Sequence, residues 1–272
     1  MKKILFLFFG VALMSLVSCT KIDNWDAPDC TFTGTIYDSF TNQPLLASQN
    51  DWQIRIWERS WTGHPEGATN YQDLRIKQDG TYQNTKLFEG RYDMLPYDGP
   101  FWPMDTVKNV QLSKGKTTVQ DFTVTPYLQV IDFRNEIGTH NFGTEAAPIV
   151  RPSVTFYCKI RAPRTDGLPN LRYLQAFLSL TVFCGNGDNS FINVSEYTSG
   201  SDGSRGRLDF NRSWADEQRA NGLDPNSDTT KEYKIGPLQV KNGYTYYVRM
   251  GANVNTGSNR YHYTPIEKIS IP

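Results

Sequence analysis

Trp52-Gln-Ile-Arg-Ile-Trp-Glu58 is the stretch whose reading decides the fold. Successive side chains of a strand point to opposite faces, so one face takes Trp52, Ile54, Ile56 and Glu58 and the other Gln53, Arg55 and Trp57. That is a half-buried strand with an apolar inner side. Working outward, Thr31-Phe-Thr-Gly-Thr-Ile-Tyr37 alternates in the same way before the turn Asp38-Ser-Phe-Thr-Asn-Gln-Pro44. On the other side lie Leu74-Arg-Ile76, the turn Lys77-Gln-Asp-Gly80, then Thr81-Tyr82 and Phe88 to Leu95. Val107 to Leu112 and Thr118 to Val124 are two more short strands, parted by Ser113-Lys-Gly-Lys116. Short alternating runs joined by Asp-Gly and Lys-Gly turns predict an antiparallel β-sandwich.

The second half is also strand-rich. Pro126 to Phe133 leads in, and Ser153 to Ile160, Tyr173 to Phe183, Lys231 to Ile235, Thr245 to Asn253 and Ile266 to Ile271 are the expected strands. Leu171 to Leu178 also admits a helical reading. One helix is expected from Trp214 to Ala220, with Ser213 as N-cap and Gly222 as the stop. The fold class is therefore all-β, with two consecutive antiparallel sandwiches, residues 31–126 and an Ig- or fibronectin-like domain at 127–272.

Met1-Lys-Lys, an apolar run from Ile4 to Val17 and then Leu16-Val-Ser-Cys19 describe a secretory signal peptide over residues 1–18. The run is shorter than the ~20 residues a membrane-spanning helix needs. The tetrad ending in Cys19 resembles the lipobox of bacterial lipoproteins. That resemblance implies cleavage before Cys19, acylation of that residue and attachment to a membrane through its acyl chains. Residues 19–30 are then a polar spacer. The acidic residues there partly match a signal for export to the cell exterior, interrupted by Lys21 and Ile22.

Without Lys2 and Lys3 the chain holds 26 Lys and Arg against 28 Asp and Glu. This balance gives no footprint for nucleic acid. Cys30, Cys158 and Cys184 have no zinc-ligand spacing. Export permits a Cys158–Cys184 disulfide, but two buried free thiols are the preferred reading.

No His-x-x-His pair, Gly-x-Ser-x-Gly elbow, phosphate loop or dinucleotide fingerprint occurs. His64, His140 and His262 stand apart in the sequence. Asp224-Pro-Asn-Ser-Asp228 begins like a calcium loop but lacks the following Gly and the closing Glu. A polar loop is the better reading, with a weaker cation site there or at Asp188 as the alternative. No catalysis, cofactor or resident metal is expected.

Aromatic residues make up 13% of the chain, and flat rings with polar neighbours suit sugar rings. The candidate ligand residues are Trp61 with its loop neighbour His64, Trp214, and Trp102 in the stiff run Pro96 to Pro103. Packing is the favoured role for Phe101 and Trp102, and core packing is the alternative for the others.

Gly34-Thr-Ile-Tyr-Asp38 with Gln43-Pro-Leu45, Gln78-Asp-Gly-Thr-Tyr82 and Leu87-Phe-Glu-Gly-Arg-Tyr92 resemble the carboxypeptidase-regulatory, transthyretin-like module. Together with Arg91-Tyr-Asp-Met-Leu-Pro-Tyr-Asp-Gly-Pro-Phe-Trp102, the chain resembles the two-domain DUF3823 family of Bacteroides-type lipoproteins. The resemblance implies a transthyretin-like first domain and a place among the outer-membrane systems that capture glycans. The expected function is non-catalytic glycan binding at the outer membrane. The alternative is a spacer or interaction module that contacts a transport component.

Overall fold

The computed structural model describes residues 26–60, 71–186 and 206–272. The expected alternation organises the first sandwich. Strand β1 (Cys30–Asp38) buries every second residue, including Phe32, Gly34 and Ile36. It pairs antiparallel with β4 (Thr81–Leu87). The facing sheet has the order β3 (Gln72–Arg75), β2 (Gln53–Glu58), β5 (Gly90–Tyr97), β6 (Val107–Leu112). Trp52, Ile54 and Ile56 point between the sheets and meet Phe32, Ile36, Tyr82 and Met94 in one core. Each such side chain, fully buried, stabilises the fold by roughly 1.5–3 kcal/mol before ordering costs.

The motif residues have a packing reason. A Cβ on Gly34 would lie 2.0 Å from the Gln120 carbonyl oxygen and 2.7 Å from the Tyr82 hydroxyl. Tyr82 reaches across that bare backbone to donate to the Gln120 carbonyl. Gly80 has φ +81, and a Cβ there would lie 2.7 Å from the Leu45 carbonyl oxygen. The Asp-Gly turn thus lets β4 return beside β1 while the chain at Leu45 passes close over it.

Two expectations for this domain change. Thr118 to Val124 is not one strand but β7 (Thr117–Val119) and β8 (Phe122–Val124), both parallel to β1. At the break, the Thr35 amide donates to the Asp121 carboxylate at 2.8 Å in place of a backbone carbonyl. The Lys-Gly turn after β6 carries the chain into the opposite sheet instead of making a hairpin, so the pairing is not antiparallel throughout.

The second sandwich faces one sheet, β13 (Tyr233–Gln239), β10 (Val150–Arg161), β9 (Gln129–Asn141), against another. That second sheet orders β12 (Arg207–Arg212), β11 (Leu171–Ser179) and β14 (Thr245–Val254), with β15 (His262–Tyr263) and β16 (Glu267–Ser270) both pairing β14. Val154, Phe156, Leu174, Val248 and Met250 are among its core residues. Residues 171–178 are strand, not helix. That strand ends at Ser179, short of the expected Phe183, where the Thr181 amide turns back onto the Ser179 hydroxyl at 3.1 Å. Helix α1 (Trp214–Ala220) forms where expected, and Ser213 accepts the Asp216 amide at 3.2 Å. Cys30, Cys158 and Cys184 are free and buried.

Candidate ligand cleft at the domain junction

The two sandwiches meet through buried polar contacts. Asp38 closes its own turn by accepting the Phe40 amide at 2.7 Å, and its other oxygen accepts from Gln129 Nε2 at 2.6 Å. Arg260, from the second domain, reaches Asp51 at 3.1 Å and Asp98 at 2.6 Å in the first. Burial raises the pKa of the Asp51 carboxyl, and the charge of Arg260 acts the other way. His262 is buried, and its Nε2 accepts the Leu128 amide at 3.2 Å, which fixes a neutral ring. Burial holds its pKa down to about 3.

Between the domains lies a cleft of about 560 Å3. The first domain supplies Leu46, Gln49, Lys77, Gln78 and Asp79, and the second supplies Phe183, Arg249, Pro265 and Ile266. Two of its lining residues, Leu46 and Ile266, pack against a small buried cluster of Phe177, Cys184, Tyr261 and Tyr263.

One side chain ties the two walls together. Gln78, beside the tight Gly80 turn, donates from Nε2 to the Val182 carbonyl at 2.8 Å. Its Oε1 accepts the Cys184 amide at 3.0 Å. The segment after β11 is thereby bent toward the first domain. Phe183, held between those two contacts, keeps 46% of its surface open to solvent. Arg249 lies deeper, 1% exposed, with its guanidinium 3.6 Å from the Tyr263 ring centroid. Its Nη1 donates to the Ala47 carbonyl at 2.9 Å. The cleft therefore offers an aromatic and aliphatic wall, amide and charged groups at its margin, and a cation at depth. That is the usual anatomy of a small-molecule site at a domain boundary.

The residues singled out from sequence fall elsewhere. Cys19, Trp61 and His64, and with them Asp188, lie outside the described residues. Trp214 is 3% exposed in the core of the second domain, and its Nε1 donates to the Ser227 carbonyl at 2.8 Å. Trp102 joins the domains by packing on the second core, its ring centroid 5.1 Å from that of Tyr127 and 4.3 Å from the Arg164 guanidinium carbon. Neither tryptophan is among the residues lining the cleft. Among the described residues no group of three or more His, Cys, Asp or Glu side chains could hold a metal.

Phe183 escaped the sequence reading because alternation carries Tyr173 to Phe183 on as strand. Arg249 left one trace, the one charge within the run Tyr246 to Val254, whose residues after Tyr247 are all buried.

Residues 30–125 match the family model for the N-terminal domain of a protein of unknown function, DUF3823. No curated protein matches the sequence. A Bacteroides uniformis structure, described as a candidate carbohydrate-binding protein, superposes on 90% of this chain and 100% of its own, with TM-score 0.65 and 23% identity. A DUF3823 family protein from Parabacteroides merdae covers 90% of this chain and 100% of its own, with TM-score 0.58 and 17% identity. Another from Bacteroides uniformis covers the same shares at TM-score 0.58 and 21% identity. These likenesses establish the fold.

Proposed function

Residues 30–125 are the N-terminal domain of the DUF3823 family, and from that premise we propose that the chain is a non-catalytic carbohydrate-binding lipoprotein whose sugar site is the interdomain cleft. The observation that carries this is the cleft itself, where the half-open Phe183 ring stands beside Lys77, Gln78 and Asp79. A pyranose has an apolar face that an aromatic ring can cover and a rim of hydroxyls that amide and charged side chains can bind. The description of the Bacteroides uniformis neighbour supports the same reading.

The donor set of this cleft supports binding without turnover. Glycoside hydrolysis takes two carboxyl groups flanking the bond, and among the described lining residues Asp79 alone is a carboxylate. Asp79 already accepts the Thr81 hydroxyl at 2.7 Å and the Thr81 amide at 3.0 Å. The acylated Cys19 would hold the protein at the outer membrane, facing the cell exterior, with the spacer lifting the cleft off the lipid surface.

A glycan panel over the chain from Lys21, which carries both hydrophobic cores, tests the reading. Phe183→Ala weakens binding about tenfold, the loss expected for part of an aromatic contact. Phe40→Ala, a 50% exposed ring outside the cleft lining, leaves it unchanged. Absence of any glycan binding overturns the reading. A protein-interaction role then takes precedence, carried by the β9–β10 arm, where Ile137, Ile149 and Val150 are exposed.

A further inference from the structure

The outer edge of a sheet presents unpaired backbone N–H and C=O groups that invite another strand, and proteins blunt such edges with short strands, bulges, prolines and lysines. The edges of this chain carry such devices, with one exception. Strands β3, β15 and β16 have four residues or fewer. On β4 the register shifts beside Lys86. Strand β6 has Asn109 at φ 61, and β12 has Asn211 at φ 49. Strand β13 contains Gly236 at φ 109, followed by Pro237. The edge opposite β4 is split into β7 and β8.

Strand β9 is the exception. Among the described residues no strand pairs its outer edge. Past Asp132, at φ 53, its register with β10 runs unbroken from Arg134 to Asn141. That stretch holds no proline, no lysine and no residue at positive φ. Glu136, Ile137, Gly138 and Thr139 are exposed in succession, so both faces of the strand are open there. The charged side chains turn back over their own sheet, away from the free edge. Arg134 reaches Glu232 at 3.0 Å and lies 3.7 Å from the Tyr157 ring centroid, and Glu136 accepts the Tyr157 hydroxyl at 3.0 Å.

The sequence of this edge is complementary to itself. Two identical antiparallel strands share a two-fold axis through one residue, and residues placed evenly about it face each other. An axis at Glu136 would oppose two carboxylates, and one at Ile137 would set Arg134 against His140. An axis at Gly138 sets the Glu136 carboxylate opposite the His140 ring, an acceptor opposite a donor. It also sets Asn135 opposite Asn141 and Ile137 opposite Thr139, with no like charges opposed. Symmetry makes each of these contacts twice.

We propose that β9 pairs with β9 of a second copy of this chain, antiparallel about Gly138, so that the two β13–β10–β9 sheets become one. Ile137, 42% exposed, then packs on the Thr139 methyl group of the second copy. No residue of this edge lines the cleft, so the dimer stands apart from the carbohydrate reading.

Sedimentation velocity of the chain from Lys21 tests this. Monomer at about 1 μM and dimer dominant by about 100 μM is expected, the range of a small interface. Gly138→Lys sets two ammonium groups on the axis and should weaken the dimer at least about tenfold. A Cβ on Gly138 would meet nothing within 4 Å, so this variant should melt as the wild type does. Gly138→Cys should form a disulfide-linked dimer on oxidation, since directly opposed Cβ atoms lie about 4.5–5.5 Å apart. The wild-type chain from Lys21, whose cysteines are buried, should form none. A monomer at every concentration, or a dimer that Gly138→Lys leaves intact, overturns the inference, and neither result bears on sugar binding.

Discussion

His262 shows how one buried residue sets a condition on stability. Its neutral ring accepts the Leu128 amide, and burial lowers its pKa from 6.5 to about 3. The unfolded chain therefore takes up a proton below about pH 6.5 that the folded chain refuses until about pH 3. Stability should fall as pH drops through that window, by up to about 1.4 kcal/mol per pH unit from this residue. His262→Gln, which retains an acceptor but does not titrate, should flatten that part of a denaturation-against-pH curve; an unchanged slope would assign it to other groups. Gly34 makes a second prediction at this scale. Gly34→Ala places a methyl group against the Gln120 carbonyl and the Tyr82 hydroxyl, and should destabilise the chain by about 1–3 kcal/mol in urea unfolding. Gly34 and Gly80 were legible in the sequence because the backbone approaches they permit recur as a local motif. Arg249 was not, because the Ala47 carbonyl it meets lies about two hundred positions away in the other domain.

Elements with local rules were legible almost to the residue. The Ser213 cap announces α1, and Ser213→Ala should cost about 1 kcal/mol of stability. The alternation of β1 and β2 follows from their sharing one core. The segment after β11 obeys no such rule. Its apolar residues Leu180, Val182 and Phe183 continue the strand pattern, yet Gln78 draws the backbone away and leaves all three exposed. Gln78→Ala should release it, and exchange of the Cys184 amide proton should accelerate about tenfold for each 1.4 kcal/mol lost. Unchanged exchange would show that the segment is held by its own packing. The split of β7 from β8 was equally hidden, since it depends on the Asp121 carboxylate replacing a ladder carbonyl on a strand distant in sequence.

At the scale of the whole molecule, two cores joined by Arg260 and by the Gln129–Asp38 hydrogen bond should unfold as one cooperative unit. Removing Arg260 leaves Asp51, 1% exposed, as a buried charge without its partner. Arg260→Ala should cost about 3 kcal/mol and broaden or split the calorimetric transition. An unaltered single transition would mean that the apolar contacts alone couple the domains. All-β architecture was legible from alternation and turns, while the junction was not, because its residues come from turns and strands scattered over both halves. That is also why the aromatic candidates Trp214 and Trp102 were visible in sequence and Phe183 was not. The central claim, that the junction is a sugar site, is tested most directly by a crystal structure of the chain from Lys21 with the tightest-binding oligosaccharide of the panel. The account predicts a sugar ring against Phe183, between Leu46 and Ile266. A sugar bound with high occupancy anywhere else on the molecule would contradict it.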